Sequence, residues 1–339
     1  MKHLVTFLRW LLVVAGLLAV TASLLSIAPA PVWWLKVLDF LRLHLLVGHV
    51  VVLLGLIGLR SWNRHALRWA LLGGTLAGLA IQAYHLVPYL PLAPKAVPDW
   101  TANRSGRKSN HLRLLISNVY MKNRQAEPLL RLVQNVRPDI VLAMETDQWW
   151  VEALQPLRAE FPHRIELAQD NTYGMVLYSR LALGEPRVLH LEQDGVPSLH
   201  VLVHLRNGRR LMLHAIHPPP PIPDEYPSSV GHADHAFDSV RRMINVEEAA
   251  VVAGDFNDVA WSSVVKRLDS DGQLRNVRLG RGLFNTFDAH SLIMRWPLDH
   301  IFVTHQFTVA QLKRLPDINS DHFPLYADLV LPADSAETP

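Results

Sequence analysis

The chain has no cysteine among its 339 residues. That excludes a disulfide scaffold, zinc fingers, thiolate clusters and a cysteine nucleophile. It leaves the compartment open, because a chain without thiols serves in reducing and oxidising surroundings alike. Internal repeats and low-complexity tracts are also missing. Acidic residues are scarce in one place only: residues 1–89 carry seven basic side chains and a single acid, Asp39, a net +6. The remainder holds 26 basic and 29 acidic residues, a net −3. The overall +3 and the pI of about 9.2 therefore describe the first quarter and not a uniformly basic chain.

Charge is absent altogether from three stretches of that first quarter: residues 10–35, 43–59 and 69–90. A spanning helix needs about 17–25 apolar residues, so each run is long enough. The pattern predicts a membrane anchor over residues 1–90, held in the lipid bilayer by three transmembrane helices. Cleavage of the first run as a signal peptide at Ala28-Pro29-Ala30 is disfavoured by Pro31, and two spans would remain in any case. Gly74 and Gly78 offer a small-residue face for close helix contact. Lys2 and Arg9 before the first span, and Arg60, Arg64 and Arg68 after the second, place both segments in the cytoplasm. Everything after the third span then lies outside the plasma (inner) membrane. Residues 91–110, with Pro91, Pro94 and Pro98 followed by a polar stretch, read as a linker. Residues 332–339 read as a flexible tail.

From residue 112 the pattern alternates strands and helices. Strands are predicted over 112–117, 140–144, 173–179, 198–205, 209–217, 250–253, 298–303, 307–312 and 324–331, and a helix over 125–136. Asn207-Gly208 predicts a hairpin with positive φ at both turn positions. Hairpins mixed with helical crossovers indicate a mixed α/β sheet system.

Polar groups gather at the strand ends. Asn118 ends the first strand and Glu145 the second. His217 ends the hairpin's return strand, Asp255 and Asn257 follow a Val/Ala strand, and Asp299 opens another. Asp321 and His322 precede the last. Loops at strand ends are where sites are usually built. The available chemistry is oxygen and imidazole. Carboxylates with an amide suit a hard cation such as Mg²⁺, and a histidine beside a carboxylate suits proton transfer. Together they point to metal-assisted hydrolysis of a phosphate ester. Singly, each residue has a plainer reading as a turn former or a solvated strand end.

Taken in order, Ser117-Asn118-Val119, Pro138-Asp139-Ile140-Val141 with Glu145, His217-Pro218, Gly254-Asp255-Phe256-Asn257, Leu298-Asp299-His300-Ile301 and Ser320-Asp321-His322-Phe323-Pro324 resemble the endonuclease/exonuclease/phosphatase superfamily. The resemblance spans about residues 111–331. The preceding helices and the run of prolines after His217 are most similar to a bacterial membrane-anchored branch. The resemblance implies a four-layer sandwich, two mixed β-sheets face to face with helices outside. It implies that Glu145 is the principal ligand of Mg²⁺ (or Mn²⁺), with Asn118 and Asp321 beside it. It further implies that Asp255 orients or deprotonates the attacking water, Asn257 holds the scissile phosphate, and Asp299 orients His322 as a second acid/base or phosphate-polarising group. His217 would contact the phosphate or protonate the leaving oxygen. Glu145 departs from the family in following Met144 where glutamine is common.

The expected activity is that of a membrane-anchored, divalent-metal-dependent phosphodiesterase. Its phosphate-ester substrate is a nucleic acid or a lipid head group. Basic clusters at Arg104, Arg107 and Lys108, or at Arg206, Arg209 and Arg210, would serve the former. The contrasting expectation is an inactive membrane protein whose domain binds a ligand or partner. Oligomeric state leaves no mark in the sequence.

Overall fold

The computed structural model describes residues 2–28, 33–59, 65–101, 111–191, 193–220 and 232–332. Arg60, Arg64, Arg104, Arg107, Lys108, Pro29 to Pro31 and the tail beyond residue 332 lie outside them. The chain divides into two compact units, one ending at Pro88 and the other beginning at Tyr89.

The first unit contains α1 (Lys2–Leu25), α2 (Trp33–Phe40), α3 (Arg42–Gly58) and α4 (His65–Leu86). Two helices are long and apolar enough to cross a membrane, His3–Leu25 and His65–Tyr89. The expected third span is different. At 17 residues α3 covers about 26 Å, short of a hydrocarbon core of about 30 Å, and it meets α2 at a 69° bend. Three spans result only if that bent pair is counted as one. The first span also starts earlier than its uncharged run: α1 takes in Lys2 and Arg9 and stops at Leu25.

Many large apolar side chains on these helices are exposed, and a small core of Val13, Val52, Leu56 and Leu71 joins α1, α3 and α4. A Cβ at Gly74 would press on Val20, and one at Gly78 would collide with His49. The small-residue face is therefore used for close helix contact. Polar side chains bind one another inside: Gln82 donates to Ser23 Oγ at 2.9 Å, and His49 Nε2 lies 2.9 Å from the same oxygen. Arg42, read as a boundary charge, is buried and paired with Asp39 at 2.6 Å. That pair contributes no net charge to the loop it was counted in.

The second unit has thirteen strands among its described residues. In chain order these are β1 (His111–Asn118), β2 (Ile140–Met144), β3 (His163–Leu167), β4 (Met175–Ser179), β5 (Ala182–Leu183), β6 (Arg187–Leu189) and β7 (Ser198–His204). Then come β8 (Arg210–Ala215), β9 (Ala250–Asp255), β10 (Arg275–Asn276), β11 (Asp299–Val303), β12 (Thr308–Arg314) and β13 (Leu325–Val330). They form one sheet in the order β12-β13-β1-β2-β4-β3 and a second in the order β10-β11-β9-β8-β7-β5, with β6 on β7. Among the described strands only β1–β2 and β8–β9 are parallel pairs, so both sheets are mixed. Parallel neighbours need a crossover. Here α5 (Glu127–Val136) follows β1, and α7 (His232–Met243) lies between β8 and β9, with α6 (Gln148–Ala153) preceding it in the chain and α8 (Ser263–Arg267) following it.

Strand alternation divides the apolar residues between two faces. Leu112, Leu114 and Ile116 of β1 meet Val251 and Ala253 of β9 in the core between the sheets. Leu115 and Val141 face Leu129, Val133 and Trp150 on one outer side. Val252 and Phe302 face Phe237, Val240 and Val265 on the other. The order helix, sheet, sheet, helix is the expected four-layer sandwich.

Two expectations are corrected. The prolines of residues 91–98 do not form a free linker, because this segment packs into the second unit. Val97 is fully buried in the inter-sheet core. Tyr89 donates to the Ala260 carbonyl at 2.5 Å, and Trp100 N–H and Val309 N–H bond to Val309 O and Pro98 O. Arg281 ties Val97 O and Asp99. Proline lacks an N–H but keeps its carbonyl, and the non-proline residues between supply the donors. Second, the hairpin at Asn207-Gly208 forms, pairing β7 with β8, but only Gly208 has positive φ, at 85°. The turn is longer than two residues: Leu205 N–H bonds to Arg209 O, so a left-handed glycine closes a wider loop.

Candidate active site

The topology carries the polar residues to one end of both sheets. β1 and β2 are parallel, with Asn118 in register with Met144, so Asn118 and Glu145 leave the first sheet together. β13 runs antiparallel to β1, which brings its preceding residue His322 to the same end. In the second sheet Asp255 closes β9 opposite Asp299, which opens antiparallel β11. His217 follows β8, the parallel neighbour of β9.

Local backbone geometry turns these groups inward. Glu145 and Asn257 both occupy left-handed conformations, φ 60° and 52°, a region that non-glycine residues seldom visit outside turns and sites. Gly254 sits against the Ile216 carbonyl at φ 147°, where a Cβ would collide with it. A side chain there would force apart the two strands that carry Asp255 and His217.

Asn118 joins the two sheets. Its Nδ2 donates to Glu145 Oε1 at 2.8 Å and to Asp255 Oδ2 at 3.0 Å, while its Oδ1 accepts from Tyr120 N–H at 2.9 Å. The amide thus presents nitrogen to the carboxylates. It positions Glu145 and Asp255 and does not itself offer oxygen to a cation. Met121 N–H donates to the other oxygen of Glu145 at 3.2 Å.

Asp255, Asp299 and His322 are buried together. His322 Nδ1 is 2.8 Å from Asp299 Oδ2, and its Nε2 is 3.4 Å from Asp255 Oδ2. His217 Nε2 is 3.8 Å from the same Asp255 oxygen. Burial by itself would lower the pKa of His322, but the charges of Asp255 and Asp299 overcome it and lift the value to about 10. Burial would raise Asp255, yet His322, His217 and the Asn118 amide outweigh it and hold the carboxyl below its ordinary range. Asp299 is moved the other way, upward, by burial and by repulsion from Asp255. The trio titrates as one unit, with an ionised Asp255 and a protonated His322.

Ligand atoms of Asp255, Asp299 and His322 lie within 4.8 Å of one another, close enough to hold a metal. Asp299 on Nδ1 and Asp255 beside Nε2 also give the imidazole a carboxylate on each side, an arrangement suited to proton transfer. The carboxylates nearer solvent, Glu145 and Asp321, offer a cation oxygen ligands as well. Asp321 is pushed up to about 6 by burial, with repulsion from Glu145 and Asp255 adding to it. Crowded carboxylates of this kind, oxygen-only and partly open, match what a hard divalent ion requires.

Asn257 donates its side chain to Pro218 O at 2.9 Å, and its backbone N–H holds Asp255 Oδ1 at 2.9 Å. Ser320 Oγ bonds to Asn118 O at 2.8 Å and receives His322 N–H at 3.1 Å, which locks the last motif onto the first. Every residue expected at the site is thus found at this end of the sheets. Thr286 was missed. Its Oγ1 accepts from Leu298 and Asp299 N–H at 3.3 and 3.2 Å, and its carbonyl accepts from Phe323 N–H at 2.8 Å. It lies in an irregular stretch where no periodicity marks it. Asp139, one of the motif residues, is not in the site. It is fully buried at the opposite end of β2, bound to Arg113 and to Arg206 at 2.6 Å. Arg206 is therefore far from the catalytic end.

Residues 115–322, more than half of the chain, match the model of the Endonuclease/Exonuclease/phosphatase family. The chain belongs to the endonuclease/exonuclease/phosphatase family. Members of this family are divalent-metal-dependent hydrolases of phosphoester bonds. Solved structures similar in fold include D. rerio TDP2 complexed with a single strand DNA product, at 17% identity and a TM-score of 0.54, covering 65% of this chain and 98% of that one. Others are family proteins from Beutenbergia cavernae, at 18% identity, TM-score 0.52 and coverages of 66% and 72%, and from Bacteroides vulgatus, at 17% identity, TM-score 0.51 and coverages of 65% and 99%. No protein of curated function matches the chain in sequence.

Proposed function

We propose that this chain is a membrane-anchored phosphodiesterase that uses Mg²⁺, with Mn²⁺ as the alternative ion. The carrying observation is the buried Asp255–His322–Asp299 cluster linked through Asn118 to Glu145. Asp255, ionised though fully buried, is the acceptor for the proton of the attacking water. His322, protonated and held by Asp299, places a positive N–H toward the phosphate and supplies a proton as the leaving oxygen departs. Asn257 and His217 flank Asp255 and contact the phosphate. Glu145 and Asp321 are the residues that would hold the ion, whose chemistry is to offset negative charge on the phosphoryl oxygens.

The chain is read as an anchor over residues 1–90 and a catalytic domain over 111–331, with that domain outside the plasma membrane. The basic residues that flank the predicted spans support this orientation. Alkaline phosphatase fused after Leu331 should be active in cells, and fluorescence from a cytoplasm-only reporter at the same position would reverse the placement. For the activity, the purified full chain is assayed on bis-p-nitrophenyl phosphate with Mg²⁺, with Mn²⁺ and with chelator. Wild type should turn over only with metal. Equal rates for wild type, Asp255→Ala and His322→Ala would refute the assignment. D. rerio TDP2 has been solved with a single strand DNA product, so single-stranded DNA belongs in the substrate panel beside phospholipids.

A further inference from the structure

The catalytic unit hides most of its large apolar side chains. Leu90 and Leu92 continue the apolar run of the last helix, and elsewhere one consecutive set stands out: Leu292 at 88% exposure, Ile293 at 74% and Met294 at 42%. These residues form the tip of a built hairpin. Ile293 and Met294 N–H groups donate to Ser291 Oγ at 3.3 and 2.8 Å, and Arg295 N–H returns to Ile293 O at 3.1 Å. The two legs close at Phe287 and Trp296, which bridge through their backbones and stack their rings at 6.1 Å. The Phe287 ring also lies 4.9 Å from that of His322. The apolar tip is thus mounted on the wall of the active site.

Two cations stand at its base. The guanidinium groups of Arg295 and Arg314 lie 4.9 and 4.4 Å from the Phe323 ring. Arg295 donates to the carbonyls of Asp288 and Ala289, and Arg314 to that of Asn285. Among the described residues neither has a carboxylate partner. A hydrogen-bonded apolar tip beside arginines with no carboxylate partner among the described residues has the composition of a surface that sits in a bilayer interface, apolar groups among acyl chains and cations among phosphates. A nucleic acid would satisfy the arginines but would give Leu292 and Ile293 nothing to bury against. The chain's own long apolar helices would keep a bilayer at hand.

We propose that residues 292–294 insert into an anionic phospholipid bilayer while Arg295 and Arg314 meet its phosphates, so that the phosphoester delivered to Asp255 and His322 is that of a phospholipid head group. This rests on the phosphoesterase reading above and adds a substrate class to it.

The absence of cysteine makes a single label site-specific. The full chain carrying Ile293→Cys, labelled with bimane and reconstituted in phosphatidylcholine–phosphatidylglycerol vesicles, should be quenched by doxyl lipid at least about five-fold more than the same label at Val188→Cys. Arg295→Gln with Arg314→Gln should reduce that quenching in the anionic vesicles and leave it unchanged in pure phosphatidylcholine. Leu292→Asp with Ile293→Asp should slow phospholipid hydrolysis about ten-fold or more and keep bis-p-nitrophenyl phosphate turnover within about two-fold. Quenching at residue 293 no greater than at residue 188 overturns the proposal. So does a double aspartate variant that keeps the wild-type lipid rate, or that loses single-stranded DNA cleavage in its place. A wild-type chain inactive on bis-p-nitrophenyl phosphate refutes the phosphoesterase reading separately, and the quenching comparison then judges the bilayer contact alone.

Discussion

His322 at the strand ends and the pair His200–His214 on the second sheet are all almost completely buried, at 3%, 4% and 3% exposure, yet the first is charged and the other two are neutral. His322 faces two carboxylates and is protonated, with its pKa lifted to about 10. Among the described residues His200 and His214 have no carboxylate partner in their hydrogen bonds. Their Nδ1 atoms lie 2.7 Å apart, and His200 Nε2 is 2.9 Å from Ser198 Oγ. Burial lowers them to about 4 and about 3. His300, buried against the Asp258 carbonyl, is likewise lowered to about 3 by burial and by Arg278. Ser198 spends its own hydrogen on Leu189 O, so its oxygen accepts from His200 Nε2–H. Neutral His200 must then accept at Nδ1 from His214. Burial alone neutralises an imidazole, and burial with paired carboxylates charges it.

The sharpest way to break this contrast is to remove the charge that sustains His322. Asp255→Asn should lower phosphodiester hydrolysis by about a thousand-fold or more and drop the His322 pKa, read by NMR of the labelled ring. Unchanged His322 titration would mean that Asp255 is not what holds the proton. Asp299→Asn should cost about a hundred-fold in kcat with KM little changed, because it removes the group bonded to His322 Nδ1 and leaves Asp255 in place. A rise in KM alone would assign Asp299 to substrate binding.

The neutral histidines make the reverse prediction for stability. Their folded pKa values lie below the ordinary 6.5, so the unfolded chain binds more protons once pH falls beneath about 6.5. Stability should be full above that pH and decline toward pH 4, by about 1.4 kcal/mol per pH unit for each histidine still neutral. His214→Gln should flatten the decline in denaturant titrations by roughly one such increment. A slope equal to wild type would show that His214 is charged when folded. The smallest effect is expected from Ser198→Ala. It removes the acceptor of the His200 N–H and should cost about 1–3 kcal/mol at neutral pH, measured by thermal or chemical unfolding.

The legible parts of the chain were those with local signals. Residues 140–144 read as a strand because an apolar run lies between Pro138-Asp139 and Glu145, and the strand has those bounds. By contrast β3 escaped notice, since Arg164 and Glu166 alternate with half-buried neighbours on an edge strand. The polar helix α7, with its basic last turn, gave no apolar run to mark it. The candidate residues at the strand ends were readable from motifs, while Thr286 and the nitrogen-first orientation of Asn118 were not. Both depend on contacts between segments far apart in the chain. The proline stretch misled for a related reason: prolines mark a stiff chain, but whether it hangs free or packs against β12 depends on a partner more than two hundred residues away.

The sequence by itself determined the fold class, the apolar character of the first quarter and which polar residues stand at the strand ends, because periodicity and motif order are properties of neighbouring residues. Only the tertiary structure decided which histidine carries a proton, which carboxylates crowd together and where the exposed apolar tip stands. Protonation and exposure follow from distances between strands, and Asp255, Asp299 and His322 reach one another only when two sheets present their ends on the same side.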